Sequence, residues 1–138
     1  MYNTILLTLD ATPTDRAIIE HIKELAGIMH SKVVLLHVAD GWAARAYGSD
    51  AVSPEIAQDT VYLEKVRSEF QSAGIPAEAE LAYGEPAREI VKWVGEKGCD
   101  LVAMSTHGHR FIADLVFGTT SRRVRHIIRV PVLLLKAR

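Results

Sequence analysis

Two stretches of the chain carry residues suited to holding an anion. The first is Ser105-Thr106-His107-Gly108; the second, after nine intervening residues, is Gly118-Thr119-Thr120-Ser121. Gly108 has no side chain, so the backbone there can turn sharply or approach a ligand closely. Gly118, Thr119 and Thr120 offer free backbone N–H groups and hydroxyl donors at the start of a helical stretch, where the helix dipole is positive. In physical terms that combination is a phosphate cradle. Arg110, Arg122 and Arg123 flank it, and from Arg110 to Arg138 seven Lys or Arg residues stand against one acid, Asp114. Such a cluster is most often a solvated helix face; the sharper reading is a local anion site. Asp10, directly after the first apolar segment, is the carboxylate best placed to accept protons from a ligand, and its competing role is to cap a turn or helix.

Other reactive residue types point elsewhere. His107 and His109 lie two apart on a loop with no third ligand nearby, which argues against a metal site. His37 sits inside an apolar segment and reads as a satisfied core histidine. Cys99 precedes a strongly apolar run, so a buried, inert thiol is expected. The sequence contains no nucleophile elbow, no carboxylate pair at a defined spacing and no metal-ligand cluster, and catalysis is not expected. No Gly-x-Gly-x-x-Gly follows the first strand and no Gly-x4-Gly-Lys-Ser/Thr is present, which excludes nicotinamide-type dinucleotide and P-loop sites. A phosphorelay receiver would need an acidic pair where Asp10 stands alone and an aspartate where Tyr83-Gly84 stands.

The elements that must position these residues alternate between strand and helix. Ile5 to Leu9 is a short apolar strand ending at Asp10. Thr12-Pro13-Thr14-Asp15 has the form of a helix start: a hydroxyl N-cap, Pro at the first helical position and an acid at the third. Ile18, Ile22, Leu25, Ala26 and Met29 follow at helical spacing. Val33 to Val38 is a second buried strand, and 40–52 is an excursion loop. Ser53-Pro54-Glu55 opens a second helix with Ile56, Leu63, Val66, Phe70 and Ala73 on one face, closed by Gly74 as C-cap. Ala77 to Tyr83 alternates in polarity, the pattern of a sheet edge. Glu85-Pro86 starts a third helix carrying Ala87, Ile90, Val91 and Val94, which ends at Gly98. Leu101 to Met104 is the fourth strand, Thr119 to Ile128 a last helix, and Val130 to Leu135 the fifth strand. This alternation predicts an α/β fold, a parallel sheet with helices on both faces, in a single domain spanning residues 1–138. Open sheets of this kind bind ligands beyond the carboxyl ends of their strands, where strand order reverses.

The order and spacing of these motifs resemble the universal stress protein family, in particular its ATP-binding class. That class looks like Gly-x2-Gly-x9-Gly-Ser/Thr where this chain has Ser105-Thr106-His107-Gly108, nine residues, then Gly118-Thr119. Ser105 stands in place of the first glycine; a side chain there either crowds a nucleotide or hydrogen-bonds to its ribose or phosphate. Ile5 to Asp10 is similar to the family's opening strand, Leu36-His37-Val38 to the end of its second strand, Gly84-Glu85-Pro86-Ala87 to its Gly-x-Pro helix start, and Pro131 to Leu134 to its closing strand. The resemblance implies a three-layer α/β/α domain with a five-stranded parallel sheet of order 3-2-1-4-5, the adenine nucleotide alpha-hydrolase-like arrangement. It implies that ATP, with Mg²⁺, is held by Asp10 at the ribose, by the Val38 backbone at adenine, and by Met104 and Ser105 beside base and sugar. Gly108, Gly118, Thr119 and Thr120 would wrap the phosphates, and Trp42 and Tyr47 either cover the adenine or pack. A carboxylate at the switch point agrees with the ribose role for Asp10.

Composition bounds the remaining expectations. The chain has 138 residues, 49% of them hydrophobic, and a formal net charge of −1, so bulk electrostatics point neither to nucleic acid nor to an anionic membrane. No apolar run approaches the roughly 18 residues of a membrane span, no leader sequence precedes the first strand, and one cysteine suits a reducing compartment. The expected protein is cytoplasmic and acts as a nucleotide-responsive regulatory module rather than an enzyme. It is expected to form a homodimer through the apolar edge strand Val130 to Leu135, as the resemblance also implies. The alternatives are a dimeric interaction protein of the same fold that binds no nucleotide, favoured by Ser105, and an enzyme with Mg²⁺-dependent ATP turnover.

Overall fold

In a computed structural model, residues 1–39, 54–105 and 127–136 are described. Five strands pair in parallel in the order β3-β2-β1-β4-β5: β1 is Thr4–Thr8, β2 Lys32–Ala39, β3 Ala77–Tyr83, β4 Leu101–Ser105 and β5 Val132–Leu135. The three inner strands are those written as predominantly apolar runs. A strand covered on both faces has no solvent side on which to place polar residues.

Alternation along the strands splits the core into two layers. Ile5, Leu7, Leu9, Val33, Leu35, Leu101 and Ala103 pack against Ile18, Ile19, Ile22 and Ala26 of α1, Arg16–Met29, and against Leu63, Val66 and Phe70 of α2, Pro54–Ser72. On the other face Leu6, Val34, Leu36, Val102 and Met104 meet Ala87 and Ile90 of α3, Pro86–Lys97, with Trp93, Ile128 and Val130 at the margin. The edge strand β3 keeps its alternation because Glu78 and Glu80 find cations: Lys32 and Lys97 pair with Glu78, and Lys97 lies 3.5 Å from Glu80. At the amino ends of the central strands Asp100 joins β1 to β4, accepting from the backbone N–H groups of Asn3 (2.8 Å) and Thr4 (3.1 Å).

Two helix ends follow their local signals. The Glu85 carboxylate accepts from Ala87 N and Arg88 N at the start of α3, with Pro86 in its first turn, and Gly98 closes it in the left-handed region at φ 62°. Gly74, at φ 80°, ends α2 as expected. Other local expectations fail. Ala73 is exposed, and Ile75 supplies the buried apolar group beyond the end of α2. Strand β5 begins at Val132 rather than Val130.

The largest departure is at the first helix. Thr12 is extended and makes no side-chain capping bond; Pro13–Asp15 form a short 3-10 turn, and α1 proper starts at Arg16. The Asp15 carboxylate does not cap its own helix. It turns back onto the strand end before it.

Candidate functional site

The strand order reverses between β1 and β4, so a crevice is expected beyond Leu9-Asp10 on one side and Met104-Ser105 on the other. Four of the residues expected to bind a ligand lie on the described carboxyl ends of β1, β2 and β4. Asp10 is 7% exposed, Val38 8%, Met104 4% and Ser105 3%. The strand ends are tied together: Leu9 N donates to Leu36 O at 2.9 Å, and Leu7 is in register with Ala103. Gly108, Gly118, Thr119 and Thr120 lie outside the described residues, as do His107, His109, Arg110, Arg122, Arg123, Trp42, Tyr47 and the 40–52 loop.

Ser105 is the fifth fully buried residue of β4. Strand alternation puts it on the face that Leu101 and Ala103 share with α1 and α2. Its hydroxyl oxygen is buried and has no hydrogen-bond partner among the described residues. Buried hydroxyls are nearly always paired, because an unpaired one loses its water without replacement at a cost of about 1–3 kcal/mol.

The turn after β1 has an unusual backbone. Ala11 is left-handed, at φ 63°, a conformation that carries strain for a residue with a Cβ. The reversal aims two consecutive N–H groups the same way, a concavity that attracts an anion. The anion is Asp15, which is 1% exposed. Its two oxygens accept from Asp10 N at 3.0 and 3.1 Å, and Oδ2 also accepts from Ala11 N at 2.9 Å.

Helix α2 reaches the same turn through two polar side chains one helical turn apart. The Tyr62 hydroxyl donates to Asp15 Oδ2 at 2.6 Å. Burial, then the hydrogen bond to Asp15, push the phenol far above its ordinary range, so it stays a donor. Asp59 lies 3.1 Å from His37 Nε2, and His37 Nδ1 donates to the carbonyl of Leu9 at 2.8 Å. His37 is thus the satisfied buried histidine its sequence context predicts, although one of its partners, the Leu9 carbonyl, directly precedes Asp10.

Asp15, Asp59 and Tyr62 were not singled out by the sequence reading as site residues. A signal existed for Asp59: Ile56, Asp59, Leu63, Val66 and Phe70 fall on one stripe of α2, and an acid on a buried stripe requires a partner. Cys99 is buried, and its thiol is pushed up to about 11, chiefly by burial and then by the charge of Asp100. Among the described residues no group of three or more His, Cys, Asp or Glu is placed to hold a metal, and no helix is long and apolar enough to cross a membrane.

Comparison with known proteins agrees with this architecture. The family model described as the universal stress protein family matches residues 1–136. Universal stress protein MJ0577 of Methanocaldococcus jannaschii is 24% identical over 99% of this chain and 96% of its own length. The solved structure of MJ0577 superposes with a TM-score of 0.80, covering 100% of this chain and 98% of that one. A universal stress protein in complex with cAMP is 18% identical, with a TM-score of 0.72 over 98% of this chain and 97% of that one. The universal stress protein from Archaeoglobus fulgidus in complex with dAMP is 19% identical, with a TM-score of 0.71 over 98% of each chain. At these identities the likeness to solved structures concerns the fold.

Proposed function

The chain belongs to the universal stress protein family, and from that premise we propose that it binds an adenine nucleotide beyond β1 and β4 and acts as a nucleotide-responsive regulatory module. The observation that carries the reading is the buried hydroxyl of Ser105 at the strand-order reversal, which has no hydrogen-bond partner among the described residues. A hydroxyl both gives and accepts a hydrogen bond, which fits the polar edge of a sugar or phosphate and offsets the cost of its burial. The cAMP and dAMP complexes of the two relatives support adenine nucleotides as the ligand class. Within that class we assign ATP with Mg²⁺.

In this reading Asp10 holds the ribose, the Val38 backbone meets adenine, and Met104 and Ser105 flank base and sugar. Gly108, Gly118, Thr119 and Thr120 wrap the phosphates. Ser105, which replaces a glycine of the family pattern, becomes a ligand contact rather than an obstruction. The protein is regulatory, with ATP turnover at background level, and it works in the cytoplasm as a homodimer joined along β5.

Calorimetric titration of the wild type with Mg²⁺-ATP, beside Gly118→Val and Ser105→Ala, tests the reading. Micromolar binding that is lost in Gly118→Val and weakened about fivefold or more in Ser105→Ala supports it, the latter matching one net hydrogen bond. Absence of heat and of thermal shift with the wild type overturns it in favour of a dimeric interaction protein. Mg²⁺-dependent hydrolysis well above background overturns the non-enzymatic part.

A further inference from the structure

We propose that helix α2 sets the backbone from which Asp10 projects, with Tyr62, acting through Asp15, and Asp59, acting through His37, as positioning residues for ribose recognition. The inference rests on the nucleotide reading above and extends it to residues that do not touch the ligand.

The geometry has three parts. First, the turn after β1 is left-handed at Ala11, a strained conformation that directs two N–H groups to one acceptor. Asp15 holds both, so the carboxylate fixes the peptide units on either side of the Asp10 Cα. Second, Asp15 has its own orientation set from outside the turn, because the Tyr62 hydroxyl donates to the Oδ2 atom that accepts from Ala11. Third, the strand end just before the turn is fixed in the same manner: the Leu9 carbonyl accepts from His37, whose other ring nitrogen faces Asp59. Tyr62 and Asp59 are three apart on α2 and so lie on one side of it. All five residues are polar groups at low exposure or half-buried, where hydrogen bonds are poorly screened and a lost partner is expensive.

A functional consequence follows from the chemistry of the ligand. A carboxylate recognises a ribose by accepting from its hydroxyls, which demands placement to within a few tenths of an ångström. If α2 supplies that placement, removing the Tyr62 hydroxyl weakens recognition of the ribose hydroxyls in particular and leaves base and phosphate contacts in place. A merely structural loss lowers affinity for all adenine nucleotides in proportion.

The test compares wild type with Tyr62→Phe, which keeps the ring and deletes the donor, and with Asp15→Asn, which keeps the size and weakens the acceptor. Amide hydrogen exchange of the nucleotide-free protein is read at Asp10 and Ala11, with Leu6 and Leu35 in the sheet as internal controls. Calorimetry then gives the preference for ATP over 2′,3′-dideoxy-ATP. The expected result is exchange at Asp10 and Ala11 at least tenfold faster in either variant, sheet amides unchanged, and a preference for ATP that shrinks about tenfold, as loss of one hydrogen bond to a charged group predicts. Unchanged exchange at Asp10 and Ala11 overturns the positioning role. Faster exchange with an unchanged preference overturns the link to the ribose. If the wild type binds neither nucleotide, the nucleotide reading falls and with it the ribose link, while the exchange data still decide whether α2 holds the turn.

Discussion

His37 Nε2 and Asp59 Oδ2 lie 3.1 Å apart across the interface of β2 with α2, with both residues buried. The other ring nitrogen donates to the Leu9 carbonyl, which can only accept, so Asp59 is the partner that satisfies Nε2. Removing the carboxylate leaves a buried ring nitrogen with nothing to bond. We expect Asp59→Ala to destabilise the protein by about 1–3 kcal/mol in urea unfolding. Because the pair is buried, the loss should persist in 1 M salt, where surface ion pairs such as Arg16–Glu20 are screened. A loss under ~0.5 kcal/mol, the size of an ordinary surface substitution, would sink the idea.

That pair shows where reading from sequence stops. The parallel sheet was legible because doubly covered strands are written as apolar runs, as in Val33 to Leu36, and because Glu78 and Glu80 mark β3 as an edge. Asp10, Val38, Met104 and Ser105 were legible as positions, each lying on or just past a strand end. The partner of Asp15 was not. Thr12-Pro13-Thr14-Asp15 satisfies the local rule for a helix start, but that rule takes no account of a left-handed Ala11 that turns two N–H groups toward the carboxylate, nor of Tyr62, 47 positions away. Local capping rules score neighbours in sequence, and here a tertiary donor and a strained turn outweighed them.

Two left-handed positions, Gly98 and Ala11, allow predictions of opposite sign. Gly98 ends α3 at φ 62°, and a Cβ added there meets nothing within 4 Å, so Gly98→Ala costs conformational energy alone. The expected destabilisation is about 1 kcal/mol. Ala11 has the same backbone sense with a Cβ already present. Ala11→Gly therefore relieves strain in the folded state while loosening the unfolded chain, for a net stabilisation of up to ~1 kcal/mol. Thermal unfolding of the two variants checks both, and a destabilising Ala11→Gly would show that the strain at Ala11 is smaller than the entropy the glycine adds to the unfolded chain.

Cys99 gives a pH dependence. Its thiol has an ordinary value of 9.0 and is pushed up to about 11, chiefly by burial. The folded state therefore holds the thiol proton more tightly than the unfolded state does. The resulting stability is fully present below pH 9 and is lost as pH rises from 9 through 11. At pH 8 the native protein should react with iodoacetamide roughly a hundredfold more slowly than the urea-unfolded chain, on thiolate fraction alone. Equal rates in the two states would mean that Cys99 is neither buried nor shifted.

Among the described residues strand β5 lies at the end of the sheet and pairs on one side, with β4. Its sequence is Val132-Leu133-Leu134-Leu135, and Leu134 is 42% exposed. An apolar edge with unpaired backbone groups is a template for another strand unless charge, Pro or a bulge blunts it, and no such device lies between Val132 and Leu135. Two copies of this chain meeting edge to edge would cover it. The wild type should then be a dimer at micromolar concentration in light scattering. Leu134→Lys should be a folded monomer, since a two-fold axis near the strand centre brings the new charges close together and buries neither well. A wild type that sediments as a monomer would remove the β5 interface. A Leu134→Lys variant that stays dimeric would move the interface elsewhere on the molecule.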